Sequence, residues 1–377
     1  MPRLALAAWT LVAFAGATAC KPKQPPAAPA SASNVQPSSS VLADADVLVK
    51  AIAGEDLARV RQWMTPELKS RVSAELLEEA ALHLRREFGV AQGVLEERTH
   101  QEGKLLWYSG LWIHGAVPKN RRAQDDTPVL TAVLYQFALD ERRQLARLLI
   151  REHWFLDAMK PPADAYVPVT RLHFPGAGEW TISHGGRSDA QNHHYDTVGQ
   201  RFAYDIIVKK NGRRKQPGAA STDNRAYYCY GREILAPAAG KVILAINDVQ
   251  DNIPGQRGKR GGNGVVIDHG FGEFSSLWHA IPGSVRVRTG DLVVAGQVIG
   301  QAGNSGHSSG PHLHYHLSTN DRRGGDFGLP APFVDVWLDG AWHEVYEPAR
   351  GDRVRNDPPQ GVQRRDQARG PRVLLAL

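Results

Sequence analysis

The segment Pro311-His312-Leu313-His314-Tyr315-His316-Leu317 alternates histidines with apolar residues. Successive side chains of a β-strand point to opposite faces, so this pattern predicts a strand with three imidazoles on one face and a core on the other. Packing alone explains three such imidazoles poorly, because buried polar groups without partners cost free energy. A solvated polar face is the alternative, and one His-x-His pair is by itself a weak metal motif.

A second strand is predicted at residues 201–208, with the sequence Arg-Phe-Ala-Tyr-Asp-Ile-Ile-Val. Asp205 lies on a strand face that is otherwise apolar, and buried acids are rare unless they are paired or bound to metal. His193 and His194 lie upstream, close enough for a turn to bring them back to Asp205. Two neutral imidazoles and one carboxylate leave a fourth position open, which is typical of a catalytic zinc site.

The region around these strands is predicted to be all-β. The chain contains 37 Gly and 24 Pro, which favours short strands joined by turns. Ten of the fifteen histidines lie between His173 and His316, where helical periodicity is nearly absent. We predict an all-β, two-sheet barrel/sandwich hybrid domain at residues 159–347.

The preceding region has a different pattern. From residue 41 to residue 88, apolar residues recur at spacings of three and four, which predicts helices. Three strand-like runs follow, at residues 105–114, 129–139 and 144–153. This order predicts a small α+β domain at residues 42–158, and the order alone resembles the curved-sheet NTF2-like modules.

The first twenty residues have the features of an export signal. A basic start, an apolar run too short to span a bilayer, and Ala17-Thr18-Ala19-Cys20 predict a signal peptide at residues 1–20. Cys20 is predicted to be the lipid-bearing first residue of a lipoprotein, although Ala17-Thr18-Ala19 also fits an ordinary signal peptidase. Both alternatives export the protein. We predict a periplasmic or cell-envelope location with a membrane anchor at Cys20.

Two segments have no periodicity that could build a core. Residues 21–41 are rich in Pro, Ala and Ser and are predicted to form a flexible linker. Residues 348–377 are predicted to form a disordered basic tail. The tail supplies much of the net charge of +6, so the charge is weak support for a nucleic-acid partner, and we predict none. With two cysteines, Cys20 and Cys229, a disulfide framework is excluded.

Five segments, in order, resemble the lysostaphin/LytM-type zinc metallopeptidases over residues 180–335. They are NHHYDTVGQRFAYDI, APAAGKVI, GNGVVIDHG, LWHAIPGSVRVRTGDLVVAGQVIGQAGNSG and PHLHYHL. The resemblance implies that His194, Asp205 and His314 bind zinc, and that His279 and His312 act in catalysis. The chain departs from the better-known members, because ten residues separate His194 from Asp205. This spacing leaves His193 as a rival to His194.

The implied activity is a zinc-dependent endopeptidase that hydrolyses peptide cross-links of bacterial peptidoglycan, with stem peptides as partners. Zinc lowers the pKa of its bound water towards ~7, so that hydroxide attacks the amide carbonyl. The loops at residues 209–227 and 248–263 are predicted to line a groove. One alternative is a non-catalytic family member that binds cell wall and activates other hydrolases, although such proteins usually lose ligands. Another is a biotinyl/lipoyl-type carrier, but the attachment lysine is missing.

Overall fold

The structure is a computed structural model that describes residues 10–14, 39–54, 56–115, 131–153, 166–259, 261–319 and 327–357. The chain forms two compact units that divide after Ala158. Among the described residues, no helix has the length and apolar character needed to cross a membrane. Most of the predicted signal peptide, the linker at residues 21–38 and the tail beyond residue 357 lie outside the described residues.

Four helices begin the first unit, and their ends follow from local capping. Thr65 and Ser73 each accept a hydrogen bond from the backbone N–H three residues further on, at 3.1 Å. Pro66 occupies the first turn of its helix, where a missing N–H costs nothing. The helices are α1 (Ser39–Ala53), α2 (Leu57–Trp63), α3 (Pro66–Arg71) and α4 (Ala74–Phe88).

An antiparallel sheet completes the first unit, with the strand order β1-β5-β4-β3-β2. The strands are β1 (Thr10–Phe14), β2 (Val90–Glu102), β3 (Leu105–Gly115), β4 (Thr131–Leu139) and β5 (Leu145–His153). Strands β3, β4 and β5 agree with the three predicted runs. Strand β2 was not predicted, because its side chains are largely polar and exposed. Strand β1 pairs with β5 and lies inside the predicted signal peptide.

The second unit is built from one large sheet of eleven strands and a two-stranded sheet. The large sheet has the order β12-β9-β10-β11-β14-β7-β6-β18-β16-β17, with β15 beside β14, and β13 pairs with β8. The prediction of a β-rich domain is confirmed, and its barrel/sandwich arrangement stays a prediction. The strands are β6 (Trp180–His184), β7 (Tyr204–Ile207), β8 (Glu233–Leu235), β9 (Gly240–Ile246), β10 (Asn263–Asp268), β11 (Phe274–Ala280), β12 (Leu292–Val293), β13 (Val298–Gln301), β14 (Leu313–Ser318), β15 (Gly328–Leu329), β16 (Phe333–Leu338), β17 (Ala341–Tyr346) and β18 (Arg353–Arg355).

The central strands have the predicted two-faced character. Leu313, Tyr315 and Leu317 are fully buried on β14. The Tyr315 ring packs against the rings of Tyr204 and Phe333, at centroid distances of 6.3 and 5.7 Å. Because side chains alternate along a strand, His314 and His316 of β14 point to the other face of the sheet.

The sheet continues past the predicted end of the domain at residue 347. Strand β18 (Arg353–Arg355) pairs with both β6 and β16, and Val354 is fully buried between them. The predicted disordered tail therefore begins too early, since residues 348–357 are held in the second unit. Strand β18 has one core residue, Val354, between two arginines, so it shows no apolar periodicity from which it could be predicted.

Candidate metal centre

The site lies on four neighbouring strands of the large sheet. In the pairing register, His184 of β6 lies opposite Asp205 of β7, and Asp205 lies opposite His314 of β14. His314 in turn lies opposite Trp278 of β11. Directly opposed residues of an antiparallel pair share one face, so the register alone aligns these side chains in a row. His194 reaches the row from the loop that precedes β7.

Asp205 is the hub of the site. Its Oδ1 lies 3.0 Å from Nδ1 of His314, 3.4 Å from Nε2 of His312 and 3.7 Å from Nε2 of His194. Its Oδ2 lies 3.7 Å from Nε2 of His193. The carboxylate is buried, with 8% of the residue exposed, and the partners that surround it are imidazoles rather than Lys or Arg.

The site favours an ionised Asp205 carboxylate beside a neutral His194 imidazole. Burial raises the pKa of Asp205, but His312 and His314 outweigh burial and hold it well below its ordinary value. Burial lowers the pKa of His194 to about 3, against the attraction of Asp205. A buried anion among lone-pair donors is a chemical environment suited to a cation.

The predicted ligand set is brought together. One donor atom each from His194, Asp205 and His314 lies within 4.8 Å of the other two, and all three residues are buried. Two imidazoles and one carboxylate are donors that zinc binds in catalytic sites, where water or substrate takes the remaining position. The residues present therefore fit a zinc ion.

Two further residues orient the predicted ligands. Asn192 is fully buried and its Oδ1 accepts the His194 backbone N–H at 3.1 Å and lies 3.1 Å from Nδ1 of His194. A proton on that Nδ1 leaves Nε2 of His194 free towards Asp205. Nε2 of His314 lies 3.1 Å from Nδ1 of His316, so a proton on Nε2 leaves Nδ1 of His314 free for a metal. No role was predicted for Asn192 or His316 from the sequence, although both lie within the segments that carry the family resemblance.

His279 and His312 lie next to each other, with ring centroids 4.6 Å apart. Nδ1 of His279 donates to the Ser305 carbonyl at 2.8 Å, and Nδ1 of His312 donates to the Gly310 carbonyl at 2.9 Å. Each ring therefore presents Nε2 to the site, and Nε2 of His312 lies 3.4 Å from Asp205 Oδ1. His279 has a φ of 70°, a left-handed conformation that is uncommon for a residue other than glycine and often occurs at functional sites.

Three further histidines of the second unit divide into two kinds. Nδ1 of His269 lies 2.8 Å from the Ala239 carbonyl oxygen and its Nε2 lies 2.8 Å from Ser275 Oγ, and His269 belongs to none of the possible metal-binding clusters among the described residues. His193 and His184 lie beside the hub, with ring centroids 4.2 Å apart. Nε2 of His193 and Nε2 of His194 each lie 3.7 Å from an Asp205 oxygen, so this distance does not distinguish which of the two is the metal ligand.

The two predicted loops are linked to each other near His312. Asn252 donates to the carbonyls of Gly306 and Ser308, and Asn224 donates to the Asn252 carbonyl at 2.8 Å. Asn304 donates to both Asn224 Oδ1 and the Asn252 carbonyl at 3.0 Å. This amide network fixes the segment that leads into β14.

Residues 225–324 match the model of Peptidase family M23. The matched segment contains His279, His312 and His314, whereas His194 and Asp205 lie upstream of it. The predicted resemblance to lysostaphin-type peptidases is confirmed over this segment, which is about a quarter of the chain. The structure adds the two upstream residues by placing them beside the matched ones.

Similar proteins share this segment. The glycyl-glycine endopeptidase ALE-1 of Staphylococcus capitis is 33% identical over 95 residues, which cover 25% of this chain and 26% of that protein. Lysostaphin of Staphylococcus staphylolyticus is 30% identical over 104 residues, covering 28% and 20%. The peptidoglycan DD-endopeptidase ShyA of Vibrio cholerae serotype O1 is 43% identical over 61 residues, covering 16% and 14%. The chain thus spans about a quarter or less of the length of these relatives.

Solved peptidase structures are only weakly similar to the structure of this chain. The lysostaphin catalytic domain of Staphylococcus simulans gives a TM-score of 0.24 at 18% identity, covering 40% of this chain and 86% of that one. A zinc containing peptidase from Vibrio cholerae gives 0.23 at 12% identity, covering 66% and 90%. The assignment therefore rests on the sequence match.

Proposed function

We propose that this protein is a zinc metalloendopeptidase that hydrolyses peptide cross-links of bacterial peptidoglycan. The observation that carries the proposal is the grouping of His194 and Asp205, and of His279 and His312, around the shared residue His314. The family match supports it independently, because the matched segment includes three of these five residues.

Three of these residues would bind the metal, and the other two would act on the substrate. His194, Asp205 and His314 would hold zinc, which supplies Lewis-acid polarisation of the scissile carbonyl and activates water. Nε2 of His279 and of His312 lies beside the ligand set, and because Nδ1 of each ring already carries a proton, Nε2 can take up a proton from the attacking water. The imidazolium formed in this way can donate from Nε2 to the oxygen that gains negative charge. Either one can also carry a proton to the leaving amine. No Glu base on an H-E-x-x-H helix is needed for this arrangement.

Positive charge near the site suits a stem peptide, which carries free carboxylates. Burial lowers the pKa of His312 but Asp205 outweighs it and raises that pKa, against a smaller opposing effect of Arg214. Burial lowers the pKa of His193, and Arg257 adds a smaller effect in the same direction. Arg214 also lines a surface depression of about 580 Å³ with Arg213, Lys215 and Tyr227. These residues belong to the two loops predicted to line the groove, so the loops can bind the acidic groups of the substrate.

The linker and the export signal favour a thin wall between two membranes. Residues 21–40 span at most ~70 Å when fully extended and about 25 Å as a flexible coil. A lipid at Cys20 would keep the catalytic unit within that reach of a membrane. We therefore propose direct D-alanine to diaminopimelate cross-links as the substrate, in preference to glycine bridges.

Digestion of purified sacculi tests the substrate. With the zinc-loaded protein, mass spectrometry should show dimeric muropeptides falling and monomers rising while glycan strands stay intact. The His312→Ala variant is the matched control for contaminating hydrolases. Cleavage of pentaglycine without loss of direct cross-links would contradict the substrate assignment. Zinc binding with no cleavage of either bond would favour the non-catalytic, hydrolase-activating alternative.

A further inference from the structure

We propose that His184, His193 and Asp205 form a second divalent-cation site beside the proposed zinc site, with the Asp205 carboxylate bridging the two ions. This inference rests on the proposed function, because the first ion occupies the His194, Asp205 and His314 set. The second site would take a borderline cation such as Zn²⁺, since imidazole and carboxylate suit such ions.

The donor atoms are already gathered. One ligand atom each from His184, His193 and Asp205 lies within 4.8 Å of the other two. The rings of His184 and His193 meet nearly perpendicularly, at 88°. The two rings therefore meet edge to face and do not stack flat on each other, while one donor atom of each lies within 4.8 Å of the carboxylate.

The two oxygens of Asp205 face different histidines. Oδ1 faces His314 and His194, at 3.0 and 3.7 Å. Oδ2 faces His193, at 3.7 Å. Oδ1 can thus bind the first ion and Oδ2 the second. Two-metal hydrolase sites typically hold their ions about 3.5–4 Å apart, a separation that one bridging carboxylate can span.

The sheet register places the bridge between the two sites. Asp205 of β7 has His314 of β14 on one side and His184 of β6 on the other. A register irregularity between Ile182 and His184 shifts His184 into this row. Side chains opposed across antiparallel strands point to the same face, so the fold itself aligns a histidine on each side of one carboxylate.

The second ion should bind more weakly than the first. Asp205 would be shared by two dications, and His193 is exposed, with 55% of its side chain accessible. Arg257 and Arg350 add positive charge near His193 and His184, respectively. We therefore expect the first site to fill completely before the second.

Zinc stoichiometry of the full chain tests the inference. Chelator-stripped protein is dialysed against rising free zinc and bound metal is measured. The wild type should reach two ions per chain, and His184→Asn and His193→Asn should each reach one while binding the first ion as tightly as wild type. Retention of that first ion also shows that the variants are folded. His307→Asn, at an exposed histidine, is the matched control and should keep two ions.

The possible results separate the two proposals. A wild type that saturates at one ion would overturn the second site and leave the proposed function standing, whereas a wild type that binds none would overturn the proposed function. If His193→Asn bound none, His193 would be a ligand of the first site. If the second ion survived both variants but was lost in His312→Asn, it would lie at His279 and His312, contrary to this inference.

A cobalt-loaded sample tests proximity without relying on activity. Two Co²⁺ ions bridged by one carboxylate couple magnetically, so the paramagnetic signal per ion should fall on addition of the second equivalent. His193→Asn should abolish that fall. A signal that grows in simple proportion to both equivalents would place the second ion elsewhere and overturn the inference.

Discussion

At the scale of single residues, we propose that His279 and His312 act in catalysis and do not bind the zinc ion. Each is anchored through Nδ1 to a backbone carbonyl, which directs Nε2 towards the site. We predict that His279→Ala and His312→Ala retain zinc but lose about 10²–10³ in rate, because each removes one donor to the developing oxyanion. Hydrolysis of defined muropeptides and metal analysis of the same samples measure both effects. Loss of zinc in either variant would show that residue to be a ligand.

Alternation in the sequence was sufficient to predict Asp205 on β7 and His314 on β14, whereas His279 on β11 was assigned by family resemblance. The apolar partners of His314 in β14 and of Asp205 in β7 fixed which side chains share a face. The loop residues were harder to assign, because spacing along the chain does not show how a loop folds. His194 was assigned by family resemblance, and the role of Asn192 appears only when its amide is seen to hold both the backbone and the ring of His194.

At the scale of elements, a buried carboxylate ties the start of the second unit to its large sheet. Glu273, just before β11, accepts from Tyr166 Oη at 2.6 Å and from the backbone N–H groups of Val169 and Thr170 at 2.6 and 2.7 Å. Glu273→Ala should destabilise this unit by about 2–3 kcal/mol, because it leaves buried donors without an acceptor. Tyr166→Phe, which removes one of the three bonds, should cost about 1 kcal/mol.

Denaturant unfolding of these two variants beside the wild type measures the difference. Equal, small effects would mean that the segment from Tyr166 to Thr170 is held by packing instead. The effect on zinc binding should be small for both, since Glu273 lies outside the ligand set.

The loop at residues 209–227 is expected to affect substrate binding through its charge. Arg214→Glu should lower kcat/KM on stem peptides about fivefold, since an exposed ion pair contributes at most ~1 kcal/mol. Arg288→Glu, in an exposed turn before the edge strand β12, is the control and should change little. The difference should shrink at high salt, because exposed charges are screened. An Arg214 variant with wild-type kinetics at low salt would remove this loop from the proposed groove.

Elements with a local signal were predicted well, and those stabilised by pairing were not. Apolar spacing at residues 41–88 predicted the helices, and in the structure Thr65 and Ser73 cap the starts of α3 and α4. Strand β2 lacks an apolar stripe and exists because it pairs along its whole length with β3. Strand β18 is similar, since one buried Val354 between two neighbours holds it in the sheet.

At the scale of the whole molecule, the fold should not depend on the metal. The apolar layer under the site includes fully buried Tyr315, Tyr204 and Phe333, which pack on one another without any ion. We predict that a chelator abolishes hydrolysis while the β-rich circular dichroism spectrum and cooperative unfolding persist. Added zinc should restore the activity. Collapse of the spectrum on chelation would show that the ion is structural.

Export and anchoring are also properties of the whole molecule. Cys20 is predicted to carry lipid, so Cys20→Ser should move the protein from the membrane fraction to the soluble fraction of the envelope. Fractionation followed by mass spectrometry of the amino-terminal peptide measures the change. A wild-type protein that is already soluble and begins at Cys20 would show that cleavage followed Ala19 by the ordinary route.

Because the thiol of Cys229 is buried, a thiol reagent can test whether Cys20 carries a lipid. Cys229 is 1% exposed, its Sγ donates to the Pro311 carbonyl at 3.1 Å, and burial raises its pKa to about 11. A maleimide added to the folded protein should therefore spare Cys229, so any rapid labelling reports on Cys20, which a thioether-linked lipid would block. Under slow denaturation, labelling of Cys229 should follow the release of Pro311. The labelling rate of this thiol thus measures when the segment immediately before His312 loses its native structure.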